Sequence, residues 1–82
     1  VLAELAKDKE YSVRGNVAWN PATPPAVLDE LAKDKDYIVR VGVVRNPITL
    51  LTVFVKLVKD KDCHVREEVF KNVIYRIWRI FS

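Results

Sequence analysis

Residues 31–40 read Leu31-Ala32-Lys33-Asp34-Lys35-Asp36-Tyr37-Ile38-Val39-Arg40, and much of that pattern stands again 26 positions earlier and 26 positions later. Lys33-Asp34-Lys35-Asp36 matches Lys7-Asp8-Lys9-Glu10 before it and Lys59-Asp60-Lys61-Asp62 after it, and Val39-Arg40 matches Val13-Arg14 and Val65-Arg66. Working outward, the register takes in Val1, Val27 and Val53, then Leu5, Leu31 and Leu57, then Val17, Val43 and Val69, then Asn20, Asn46 and Asn72. A register held at so many positions predicts three copies of one supersecondary unit, at residues 1–26, 27–52 and 53–82, in one repeat domain.

Inside a unit the spacing is helical. Leu28, Leu31 and Ala32 fall at i, i+3 and i+4, and Val39 and Val43 at i, i+4, so each unit reads as two short helices joined by a turn. Helices are expected near 1–8, 12–19, 23–33, 38–45, 49–59 and from 64 onward, with the shorter member of each pair 3₁₀ in part. Thr23 and Thr49 read as N-caps, with Pro24 as the first helical residue, where a missing amide loses no bond. Asn20-Pro21 and Asn46-Pro47 end the preceding helices, because a residue before proline is pushed out of the α region. The third copy carries Asn72-Val73 instead, so the last helix is expected to run from Val65 to about Ile80.

The string Val13-Arg14-Gly15-Asn16-Val17-Ala18-Trp19-Asn20-Pro21-Ala22-Thr23-Pro24, continued through Leu28, Leu31-Ala32 and Asp34, resembles the bacterial leucine-rich repeat variant family. In looser form the resemblance covers nearly the whole chain. It implies an all-α, right-handed superhelical solenoid of alternating α- and 3₁₀-helices, similar to HEAT-type arrays, here as three two-helix repeats of 26 residues. Two departures stand out: the spacing is slightly longer than the family's, and the third Asn-Pro pair is missing. The iron–sulfur centre of a known family member is not carried over, because it needs a cysteine cluster and this chain has Cys63 alone.

Asp8/Arg14, Asp34/Arg40 and Asp60/Arg66 share one six-residue spacing, which resembles the Asp/Arg pairing of HEAT-like repeats. Each Asp sits where one helix ends and each Arg near the start of the next, and a guanidinium can bridge carboxylates within or between units with fixed fork geometry. The functional alternative is a phosphate-binding row. The structural spine is preferred, because each Arg lies at the edge of the Val13/Val17 stripe, where an unpaired charge would be costly. The Lys-Asp-Lys-Asp runs are locally neutral and read as solvated turns.

At 82 residues with 50% hydrophobic and 30% charged residues, the chain is neither a disordered tail nor a membrane bundle. One cysteine excludes an internal disulfide framework and a four-thiolate zinc site, so neither a metal nor another cofactor is expected. The lack of disulfides is compatible with a cytoplasmic location. Val1 in place of Met, with no signal-peptide pattern, points to a processed chain or an excised piece.

Residues 1–26 and 27–52 each carry zero net charge, so the whole +3 comes from residues 53–82. One basic end raises an anionic partner as an option, and weak nucleic-acid backbone binding through Lys56, Lys71, Arg76 and Arg79 is the alternative function. On the last helix, Val65, Val69, Phe70, Val73, Ile74, Ile77, Trp78, Ile80 and Phe81 spread over roughly 220° of the wheel, more than one neighbour covers. That helix is expected to fold back as a cap or to dock on a second copy or a following repeat. A membrane surface is less favoured, since Glu67 and Glu68 sit beside the basic residues.

Positions that vary between copies, Trp19/Arg45/Lys71 and Gly15/Val41/Glu67, are not required by shared packing and are the freest to serve a partner. Trp19 is the leading anchor, with Arg45, Lys71, Arg76, Trp78 and Arg79 as further binding candidates. Cys63 and His64 raise a thiol–imidazole pair, but neighbours on a helix diverge by about 100°, no third orienting group is visible and no glycine-rich anion loop is present. HEAT-like DNA glycosylases share a related architecture, yet three units leave no room for a substrate cleft. The expectation is therefore a non-catalytic scaffold, a segment of a longer array, presenting an extended surface for protein binding or self-association.

Overall fold

The computed structural model describes residues 1–49 and 51–81. Among them six α-helices follow in chain order: α1 Leu2–Leu5, α2 Tyr11–Trp19, α3 Pro25–Leu31, α4 Tyr37–Arg45, α5 Leu51–Leu57 and α6 Cys63–Phe81. The fold is all-α, with no strand among the described residues. The longer helices lie side by side, α2 against α4 and α4 against α6, in a body measuring 40 × 26 × 19 Å.

Local chemistry recurs at a step of 26 residues. The amide of Glu10 bonds the Asp8 carboxylate at 2.9 Å, as do those of Asp36 with Asp34 and Asp62 with Asp60, each closing the turn between two helices. Asn20 and Asn46 end α2 and α4 in extended conformation, at ψ 122 and 126, and their side chains accept from the amides of Ala22 and Ile48. The pre-proline reading of those helix ends holds. Asn72 has no proline after it and stays helical, its amide nitrogen turned to the Glu68 carbonyl at 2.9 Å, and α6 runs unbroken to Phe81.

The first helix of each pair is shorter than expected. Its last turn tightens into i+3 bonds, Lys7 to Glu4 and Asp8 to Leu5, then Lys33 to Glu30 and Asp34 to Leu31, then Lys59 to Lys56 and Asp60 to Leu57. These are 3₁₀-type bonds at an α-helix end, and no 3₁₀-helix is present among the described residues. Thr23 does not cap α3. The residue before α3 is Pro24, extended at ψ 147, and Pro25 takes the first helical position. Thr23, fully buried, instead donates its hydroxyl to the Val17 carbonyl at the end of α2, and Thr49 does the same to Val43. The cap expected at Thr49 concerns the start of α5 beside Leu50, which lies outside the described residues.

One apolar cluster runs through the molecule: Val17 and Ala18 from α2, Leu28 and Leu31 from α3, Val39, Val43 and Val44 from α4, Val53, Phe54 and Leu57 from α5, Val65 and Val69 from α6. Fully burying a side chain such as Val43 contributes about 1.5–3 kcal/mol. Gly42 sets the closeness of α4 to α2, since a Cβ there would stand 3.1 Å from Ala18 Cβ and 3.2 Å from the Gly15 carbonyl oxygen.

The Asp/Arg spacing proves to be a ladder between neighbouring stretches. Arg14 binds Asp34 through Nε at 2.8 Å and Nη2 at 3.2 Å, and Arg40 binds Asp60 through Nε at 2.9 Å and Nη2 at 3.1 Å. Each guanidinium also reaches back through Nη1 to its own turn, Arg14 to the Asp8 carbonyl and Arg40 to the Asp34 carbonyl. The bond to Asp34 pushes the Arg14 pKa upward against the opposing effect of burial. So the turns are not uniformly solvated: their lysines are exposed, whereas the Asp34 and Asp60 side chains are about nine-tenths buried. Asn46 adds a second tie across the same junction, donating to the carbonyls of Ala18 at 2.7 Å and Asn20 at 2.9 Å.

Candidate functional site

Because α2, α4 and α6 lie in one layer, the positions that vary between copies fall on a common outer face. Between α2 and α4 they border a groove of about 450 Å³, lined by Tyr11, Ser12, Gly15, Asn16, Trp19, Ile38, Val41, Gly42 and Arg45. Gly15 keeps its floor open, since a Cβ there would meet nothing within 4 Å. A second groove of about 280 Å³ between α4 and α6 shares Ile38, Val41 and Arg45 with the first and adds Tyr37, His64, Glu67, Glu68 and Lys71. The two grooves lie side by side across α4 and together make up the α2/α4/α6 trough.

Trp19 and Arg45 are brought together: the guanidinium stands 5.6 Å over the indole, which is 53% exposed. Arg45 Nε also binds Glu68 Oε1 at 2.8 Å, so one side chain spans from α2 to α6. Lys71 sits further along the face, its ammonium 3.4 Å from Glu67. Sequence reasoning missed Tyr11 and Ile38, both about half exposed on the trough wall, and the stacking of Tyr37 on His64 at 5.0 Å between centroids. The signal available was an aromatic at position 11 that returns at 37.

The remaining candidates lie elsewhere. Arg76, Trp78 and Arg79 sit on the last turns of α6, with Arg76 stacked 4.5 Å over Phe54 and Arg79 5.9 Å over Tyr75. Lys56 pairs with Asp29 at 3.3 Å. The cations named for phosphate contact are thus engaged one by one. No fold-back cap forms either: along α6 the inward stripe changes from Val65 and Val69 to Asn72 and Arg76, while Phe70, Ile74, Ile77, Trp78 and Phe81 face solvent.

Asp62, Cys63 and His64 form the one metal-ligand-type cluster among the described residues, their ligand atoms all within 4.8 Å. The expected divergence of Cys63 and His64 does not hold, because the pair lies in the first turn of α6, where His64 turns back to Asp62. Nδ1 stands 3.0 Å from Asp62 Oδ1 and 3.9 Å from the thiol, so a third group is present after all. Partial burial pushes the Asp62 carboxyl up, but bonds from the His64 amide and imidazole and from the Val65 amide outweigh it and hold it below its ordinary value. A single nitrogen faces both partners, and one that donates to the carboxylate cannot also accept from the thiol.

No protein-family model, curated protein or solved structure matches the chain. No helix among the described residues is long and apolar enough to cross a membrane.

Proposed function

We propose that the chain is a non-catalytic scaffold: a right-handed superhelical solenoid segment of three 26-residue repeats, of the leucine-rich repeat variant kind, that presents the α2/α4/α6 trough to a protein partner. The repeat reading is supported by the Arg14–Asp34 and Arg40–Asp60 rungs, by the Thr23 and Thr49 hydroxyl bonds, and by the turn bonds of Asp8, Asp34 and Asp60, all repeated at one step. The binding reading rests on one observation, the open trough in which Trp19 stands half exposed with Arg45 held over it. An aromatic and an arginine on a rigid wall are the groups that dominate protein interfaces.

Selection of a displayed peptide library against the protein tests it. Peptides that perturb the amide resonances of Tyr11, Trp19, Ile38 and Arg45, and that lose binding on Trp19→Ala, are the expected result. No enrichment, or binders that leave those resonances unmoved, contradicts the assignment.

A further inference from the structure

At the start of α6 the sequence departs from the stretches that stand at the same step before it. Positions 10–12 and 36–38 read Glu10-Tyr11-Ser12 and Asp36-Tyr37-Ile38, whereas 62–64 read Asp62-Cys63-His64, so a thiol and an imidazole replace the aromatic and aliphatic side chains of the middle stretch. The carboxylate beside them keeps its orientation: Asp36 Oδ1 accepts from the Ile38 amide at 2.9 Å and Asp62 Oδ1 from the His64 amide at 2.8 Å. What differs is what that carboxylate faces. His64 Nδ1 lies 3.0 Å from Asp62 Oδ1 and 3.9 Å from the Cys63 sulfur, and the three ligand atoms all lie within 4.8 Å of one another. The imidazole is steadied from α4 by Tyr37, stacked on it at 5.0 Å and 27°. Tyr37 and Ile38, the equivalents of Cys63 and His64, are 37% and 42% exposed although α2 and α6 both pack on α4, so access to this position belongs to the outer face of the fold and not to its last stretch.

From this convergence we infer that Asp62, Cys63 and His64 bind a divalent transition-metal cation of the zinc class through a carboxylate oxygen, the thiolate sulfur and Nδ1. By hydrogen bonding a single Nδ1 serves either the carboxylate or the thiol, whereas one cation accepts a lone pair from all three. Tetrahedral bonds of about 2.0–2.3 Å to oxygen, nitrogen and sulfur hold the ligand atoms about 3.3–3.6 Å apart, and the separations of 3.0 and 3.9 Å fall on either side of that range. Rotation of the exposed Cys63 side chain supplies the closing movement. Binding releases the thiol proton to solvent and leaves a fourth position for water. Mixed sulfur, nitrogen and oxygen donors favour zinc or cobalt over magnesium and calcium, which take oxygen ligands. One cysteine rules out a four-thiolate centre but not this mixed one. The inference goes beyond the scaffold reading and does not rest on it.

Titration of the reduced, oxygen-free protein with Co²⁺ alone, followed by displacement with Zn²⁺, tests this. One Co²⁺ per chain is expected, with thiolate-to-cobalt charge transfer in the near ultraviolet that disappears when Zn²⁺ is added. Cys63→Ser is expected to abolish that band. His64→Ala and Asp62→Asn, the latter keeping an acceptor for the His64 amide, should each weaken binding by more than the loss of an outer support such as Tyr37, for which Tyr37→Ala should cost about tenfold. Circular dichroism checks that the variants fold, and alkylation of Cys63 in the folded parent removes the thiolate ligand without any substitution. Absence of the charge-transfer band at millimolar Co²⁺ overturns the inference. So does binding that is unchanged in both His64→Ala and Asp62→Asn, which is a bare thiolate at work, and so does one ion per two chains, which is a bridged pair.

Discussion

Arg40 and Asp60 stand 20 positions apart in the chain and are joined side by side, Nε to Oδ2 at 2.9 Å and Nη2 to Oδ1 at 3.1 Å, with both side chains more than nine-tenths buried. The Arg40 guanidinium also reaches the Asp34 carbonyl at 2.6 Å, so one group ties its own turn to the next. Removing it leaves Asp60 buried without its cation. Arg40→Ala is expected to lower stability by about 3 kcal/mol, against no more than about 0.5 kcal/mol for the exposed Lys33→Ala, both read from urea denaturation. Equal effects would remove the ladder as a source of stability.

Two glycines make opposite predictions. Gly15 has open space where a Cβ would go, so Gly15→Ala should stabilise the protein by about 0.5–1 kcal/mol through helix propensity alone. Gly42→Ala drives a methyl to 3.1 Å from Ala18 Cβ and 3.2 Å from a backbone oxygen, neither of which can swing aside, and should cost about 1–2 kcal/mol net of that propensity. Thermal melts that shift in the same direction for both would contradict the close α2/α4 contact.

Asn20 and Asn46 hold equivalent places but different duties. Both accept from the amide two residues on, but only Asn46 also donates across a junction, to Ala18 and Asn20. Asn46→Ala should therefore cost about 2 kcal/mol, with two carbonyls left short of a donor, and Asn20→Ala about 1 kcal/mol or less. The comparison uses the same substitution in the same local turn, so the difference in denaturation midpoint isolates the tie between units.

Asp62 supplies the acid dependence. Its carboxyl titrates lower in the folded chain than in the unfolded one, so its contribution is complete above the unfolded value near 3.8 and is lost as pH falls through the folded value. Asp62→Asn keeps an acceptor for the His64 amide but has no charge to lose. The stability gap between parent and variant should shrink as pH is lowered below the unfolded value near 3.8, and a gap that widens there would contradict the assignment.

Much of the fold is legible in the residues themselves because positions 26 apart, such as Val17, Val43 and Val69 or Leu31 and Leu57, face one apolar cluster. Asn20-Pro21, Asn46-Pro47 and the unbroken Asn72-Val73 mark the helix ends correctly. What is not legible depends on direction in space. Thr23 before two prolines looks like a cap, and only the packing of α2 turns its hydroxyl inward. The nearest carboxylate in the spine pattern to Arg40 is six residues away at Asp34, yet the carboxylate it grips is Asp60, which the stacking brings close. The trough shows the same division: Trp19 and Arg45 are recognisable as variable positions, whereas the contribution of Tyr11 and Ile38 to its wall emerges only once α2 and α4 are laid together.

The central claim, that each unit completes its neighbour, is tested most directly by inserting a second copy of residues 27–52 between the second and third units and measuring urea denaturation by circular dichroism. Nearest-neighbour stacking predicts a folded, cooperative protein with unchanged ellipticity per residue and a higher midpoint than the parent, because the insertion adds one unit and one complete junction. Lower ellipticity per residue, or a midpoint that fails to rise, would contradict it.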